Sequence, residues 1–229
     1  SEDGIDTSED GIDTSEDNNS SAVIEENDVS IEDGIDTYSC NLILNAIKND
    51  VTLKDKSEIV LKLLDSMEKS IDINVDGRGS PDIVTFGTVL ACLFESGDCD
   101  NSLQILGRLK SGDDKTLPKV NVDCVNMVIG SFWKGKHGTE DGKQDEGVEL
   151  LNMLIAGEFE NCKADVYSFG AALGGLARKG LGHNAATLVR EMYPLHGVYP
   201  SRHCYLAALT ACDRGSYDER KAHYLYNRM

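Results

Sequence analysis

Five times along this chain, four mostly apolar residues fall at i, i+3, i+4 and i+7, the spacing that puts them on one face of an α-helix. The sets are Cys40, Ile43, Leu44, Ile47; Phe86, Val89, Leu90, Leu93; Val125, Val128, Ile129, Phe132; Phe169, Ala172, Leu173, Leu176; and Tyr205, Ala208, Leu209, Cys212. "DIVTFGTVLACLFESG" from Asp82 has a looser copy in "DVYSFGAALGGLARKG" from Asp165. Each set is followed by a second apolar stripe at i, i+1, i+3, i+4 and i+7. The stripes begin at Val60, Ser102, Gly147, Ala185 and Ala222. Between the two helices of a copy stand breakers such as Gly97-Asp98 and Gly180-Leu181-Gly182, and Leu117-Pro118 and Tyr199-Pro200 follow second helices.

A helix pair with apolar residues on two faces cannot bury both alone, so neighbouring pairs must stack. The expected fold is all-α, a right-handed α-solenoid of helix-turn-helix repeats. The repeats run over about 37–82, 83–121, 122–165, 166–201 and 202–229. The spacing between first-helix anchors varies from 36 to 46 residues, and this variation is assigned to loops such as "KGKHGTEDGKQDEG" from Lys134.

Residues 1–36 stand apart. They carry 14 of the chain's 40 acidic residues and no Lys or Arg, and they repeat "SEDGIDT". Too few apolar side chains are present to offset the entropy of ordering, so a disordered acidic segment is expected. It reads either as an interaction tail or a screen against nonspecific nucleic acid, or as a solubilising tail. The remaining 26 acidic and 22 basic residues nearly balance.

Several chemistries were sought. Seven scattered cysteines without a Cys-x-x-Cys pair suggest reduced thiols acting in part as small hydrophobes, rather than disulfides or a zinc site. "DINVDGRGSPDI", from Asp72, begins like a calcium loop, but Ile83 stands where the bidentate Glu belongs. It reads as a polar loop between repeats. The acidic cluster Glu140, Asp141, Asp145 and Glu146 lacks a catalytic arrangement, and Asp145-Glu146 is expected to cap a helix. No Ser/His/Asp order or phosphate loop is visible, and Trp133 is expected to serve packing. The chain is therefore read as a non-enzyme with no metal or cofactor. No run of about 18 apolar residues is present, so no membrane span is expected.

The copies "SPDIVTFGTVLACL", "KADVYSFGAALGGL", "YPSRHCYLAALTAC", "VNVDCVNMVIGSF" and "GIDTYSCNLILNAI", with second helices such as "NSLQILGRL" and "DEGVELLNML", resemble the pentatricopeptide repeat (PPR) family over roughly Ile35 to Met229. The tetratricopeptide Trp-x-x-Leu-Gly-x-x-Tyr pattern is missing from every copy. The closing Pro-Asp is whole only at Pro81-Asp82, and the fifth copy stops at Met229, so the chain looks like part of a longer array.

The resemblance implies single-stranded RNA as partner, with about one base bound per repeat, in organellar RNA processing, stability or translation. It also implies a mitochondrial or chloroplast location; no signal peptide is visible, and the chain opens on Ser1. By the same resemblance, base-reading pairs are Asn41 with Asp82, Gly87 with Asn121, Asn126 with Asp165, and Gly170 with Ser201, while Leu206 has no partner. Tyr38, Val84, Asp123, Tyr167 and His203 take the base-packing places. The Asn/Asp pairs match the family's uracil-reading combination, so a U-x-U preference is expected. Glycine copies should discriminate poorly. Lys134, Arg178 and Arg214 sit near first-helix ends, either to meet phosphates or to complement helix C-termini. The slight acidic surplus keeps open an alternative in a different class: an α-solenoid scaffold that binds protein without reading RNA.

Overall fold

A computed structural model describes residues 36–73, 79–111, 117–134, 143–215 and 219–229. The acidic segment up to Ile35, residues 74–78 of the calcium-like loop, and Glu140 and Asp141 of the acidic cluster lie outside the described residues.

Ten helices and no strands are found among them. They are α1 (Thr37–Asn49), α2 (Lys56–Ile73), α3 (Ile83–Ser96), α4 (Cys99–Ser111), α5 (Val122–Ser131), α6 (Lys143–Ala156), α7 (Val166–Lys179), α8 (Gly182–His196), α9 (Arg202–Arg214) and α10 (Glu219–Arg228). Each odd helix packs on the next odd helix, and each even helix docks on its own odd partner; α2, α4, α6 and α8 also touch the odd helix that follows. The contact pattern is that of two layers, compatible with a helical-repeat stack.

The odd helices run in the same direction. Asn41, near the start of α1, reaches Asp82 at the start of α3, and Asn126, near the start of α5, reaches Asp165 at the start of α7. At the opposite ends, a Cβ on Gly130 of α5 would strike Phe94 of α3, and Gly180 after α7 abuts Gly215 after α9. Starts meet starts and ends meet ends.

Local chemistry sets the boundaries. Asp36, Asp82, Asn121 and Asp165 each accept a backbone N–H from the first turn of the following odd helix, which satisfies one of its orphan donors. Asp36 thus belongs to α1 as its cap, one residue inside the segment assigned to the acidic head. At the other end of α3, Gly97 has φ 72°, with Asp98 N donating to Leu93 O at 2.9 Å and Gly97 N to Phe94 O at 3.3 Å. α7 closes in the same way at Gly180, φ 67°. A residue with a Cβ is strained at such a φ, which is why glycine punctuates both copies.

The core lies between the layers. Phe86, Phe132 and Phe169 are fully enclosed, each contributing roughly 1.5–3 kcal/mol by burial. The interior first-helix stripes are buried throughout, whereas Ile43 of α1 is 44% exposed, because no described helix pair covers that side of α1. The fifth second-helix stripe is likewise thin: Leu225 is buried, but Tyr226 is 65% exposed. Among the described residues, interior pairs have neighbours on both sides and these two have one. All seven cysteines are buried and none is in a disulfide, and burial pushes the Cys124 thiol up to about 11. Asp145 and Glu146 fall inside the first turn of α6, which begins at Lys143, rather than at its cap. Among the described residues no helix is long and apolar enough to cross a membrane, and no three metal-ligating side chains converge.

Candidate nucleic-acid interface

The second residue of every odd helix, Tyr38, Val84, Asp123, Tyr167 and His203, is exposed. The two tyrosines are each 75% exposed, although an aromatic ring on a helix normally seeks cover. Three residues further along each helix stand Asn41, Gly87, Asn126, Gly170 and Leu206. The candidate surface is therefore a ladder with one rung per helix pair.

Two of the sequence-derived pairs are brought into direct contact. Asn41 Nδ2 donates to Asp82 Oδ1 at 3.1 Å, and Asn126 Nδ2 to Asp165 Oδ1 at 3.2 Å, across 41 and 39 residues of chain. Both aspartates also run reciprocal caps, in which the carboxylate accepts from the third helical residue and that residue's hydroxyl accepts from the aspartate N–H. Burial raises the Asp82 pKa, but hydrogen bonds from Thr85 N–H and Asn41 outweigh it and hold the carboxyl below its usual value.

The other two pairs do not join. A Cβ at Gly87 or Gly170 would meet nothing, so each leaves open space where a side chain could stand. Asn121 spends its Oδ1 on Cys124 N–H, and the Ser201 hydroxyl faces the Cys204 sulfur at 3.4 Å.

Between α5 and α7 the ladder deepens into a cavity of about 470 Å³. It extends from Asn126 and Tyr167 at the starts of these helices to Lys134 and Arg178 at their ends, over a floor that includes Gly170 and Gly174. Arg178 is exposed, as is Arg214 at the end of the next odd helix. Lys134 is partly covered and lies 4.2 Å from the centre of the Phe94 ring, a cation–π contact that ties it to α3. That contact has no signature in the sequence, because it joins residues 40 positions apart.

Trp133 sits beneath this cavity, 3% exposed, in a seat that only small residues allow. A Cβ on Gly175 would fall 2.0 Å from its ring and one on Gly147 would fall 3.2 Å from Nε1. Trp133 is a packing residue, as the sequence suggests. Among the described residues its enclosed Nε1–H and the enclosed Asn126 Oδ1 have no hydrogen-bond partner.

At the level of sequence, no family model matches the chain, and no curated protein matches it.

Proposed function

We propose that this chain is a right-handed pentatricopeptide-type solenoid that binds single-stranded RNA along its odd helices, in organellar RNA processing, stability or translation. The observation that carries this reading is the pair of matching Asn–Asp hydrogen bonds, with exposed Tyr38 on the rung of Asn41 and exposed Tyr167 on the rung after that of Asn126. An amide held by a carboxylate is a fixed donor–acceptor face. An exposed tyrosine offers a stacking platform worth roughly 1–3 kcal/mol per base. The glycine rungs provide room without discrimination. Lys134, Arg178 and Arg214 would meet phosphates, and the acidic head would limit nonspecific binding.

Filter binding of the full chain tests the reading. Single-stranded RNA containing U-x-U should bind ahead of duplex RNA and of C-x-C, with affinity falling as salt rises because phosphate contacts release counterions. Asn126→Ala should weaken U-x-U by about 1 kcal/mol and relax selectivity at one position. Absence of RNA binding at low salt, with proteins retained instead, would replace this reading with the protein-scaffold one.

A further inference from the structure

The two Asn–Asp pairs share their letters but not their surroundings. In the first, the Thr85 hydroxyl lies 2.7 Å from Asn41 Oδ1. In the second, Ser168 stands in the place of Thr85, and its hydroxyl goes to Asp165 Oδ1 at 3.0 Å. Asn126 Oδ1 is enclosed by protein, out of reach of any ligand, and Nδ2 is held by Asp165. The exposed side chains that line the α5–α7 cavity are others: Asp123 and Tyr167 at the helix starts, and Arg178 at the end of α7. The first rung has no such set. Tyr38 and Val84 hold the places of Asp123 and Tyr167 there, and Glu95 that of Arg178.

We infer that Asp123 is a specificity-determining residue, which makes the α5–α7 cavity a site for guanine. This inference rests on the RNA-binding reading. A carboxylate only accepts hydrogen bonds and repels phosphate, so in a groove for RNA it favours binding only where a base brings it donors. Guanine alone presents two adjacent donors on its pairing edge, the ring N1–H and the amino N2–H, to match two carboxylate oxygens. Uracil has one N–H between two carbonyl oxygens, which a carboxylate repels. Cytosine and adenine have an amino group beside a lone pair. Hydrogen bonds to an ionised acceptor are also the stronger kind. Room for the larger base is present: the cavity holds about 470 Å³, and a Cβ on Gly170 or Gly174 of its floor would meet nothing. Packed helices lie about 8–10 Å apart, so a purine stacked on Tyr167, which is 75% exposed, turns its edge toward Asp123 on the next helix. Arg178 stands eleven residues beyond Tyr167, about 16 Å along α7. Sugar and phosphate extend that way, and the long arginine side chain spans the remainder.

The test uses the full chain and oligoribonucleotides carrying U-x-U, U-x-G and G-x-U, so that guanine is offered at each reading place in turn. One of the two guanine strands should bind about tenfold tighter than U-x-U, at the lower end of what a two-bond base contact gives, and the other should not. Asp123→Asn, which keeps the shape but replaces one acceptor by a donor, should erase that gain. Its binding of U-x-U should hold or rise, because a charge that repels phosphate is gone. Gly174→Leu, which fills the floor, should weaken the favoured guanine strand more than U-x-U. Each result is a ratio of two affinities on one preparation, so any loss of folded protein cancels. No gain from guanine at either place while U-x-U still binds, or a gain that survives Asp123→Asn, overturns the inference and leaves the RNA reading standing. Binding of none of these RNAs overturns both.

Discussion

α3 and α7 share an apolar pattern and the letters Phe, Gly, Leu and Leu at matching places, and their ends are built in the same way. Asp82 and Asp165 cap them through Thr85 and Ser168, and Gly97 and Gly180 close them in the left-handed region. Their middles diverge. Where α3 has Ala91 and Cys92, α7 has Gly174 and Gly175, and the Trp133 indole lies against Gly175. The consequence extends beyond packing. With Trp133 drawn inward and glycines along the floor, a cavity opens between α5 and α7 that exposes one wall to Asn126. The same local pattern thus yields the same caps but a different surface, because the surface depends on which neighbour leans on the helix.

The largest effect should come from emptying the slot. Trp133→Ala should lower stability by about 3–5 kcal/mol, the usual cost of truncating a buried large aromatic. Urea unfolding followed by circular dichroism measures it, and a loss under about 1 kcal/mol would show that α7 does not depend on the indole. From the other side of the same contact, Gly175→Ala should cost about 1–3 kcal/mol through overpacking, even though alanine favours helix. If it stabilises instead, the indole has room to move. Cys92→Ala at the matching place in α3 removes only a buried sulfur and should cost less.

The closing glycines sharpen the comparison further. Gly97→Ala and Gly180→Ala should each cost about 1 kcal/mol for the left-handed φ. Gly180→Ala should cost more of the two, because its Cβ would also fall 2.8 Å from Gly215 N. Thermal unfolding of the pair gives the order directly, and equal shifts would remove any role for the α7–α9 approach.

A smaller effect concerns the Asp82 cap. Its folded-state pKa lies below the ordinary value, so its contribution is complete above the ordinary carboxylate range and fades as pH falls through it. Stability of the wild type should therefore decline below about pH 4 more steeply than that of Asp82→Asn. Parallel curves from pH 6 to 3 would mean that the carboxylate is not favoured by folding. Smallest of all, Gln104→Ala on the exposed face of α4 should change stability and RNA selectivity by less than about 0.5 kcal/mol.

Much of this was legible in the sequence, and for identifiable reasons. The i, i+3, i+4, i+7 stripes located all ten helices because a helix buries a fixed face whatever its neighbours are. The stripes read less well at either end of the described stack, where Ile43 and Tyr226 fit the pattern yet remain exposed. Periodicity reports which side chains share a face, and coverage requires a neighbour. The closing residues Asp82, Asn121 and Asp165 also cap the next odd helix through their side chains, so their polar character has a local cause, whereas Ser201 holds the same place without a side-chain cap bond. What marks two of them as more than caps is the amide arriving from the preceding odd helix.

The sequence by itself determined the period, the helix ends and the turns. Each of these rests on bonds within about six residues, where the chain's own geometry sets the distance. Only the tertiary structure decided that Trp133 would lie on Gly175, that Lys134 would sit over Phe94, and that Asn41 and Asn126 would be hydrogen-bonded differently. Those contacts join residues about forty positions apart. Whether a hydroxyl turns to an amide or to a carboxylate depends on fractions of an ångström that two packed helices set between them, and a string of letters does not carry that distance.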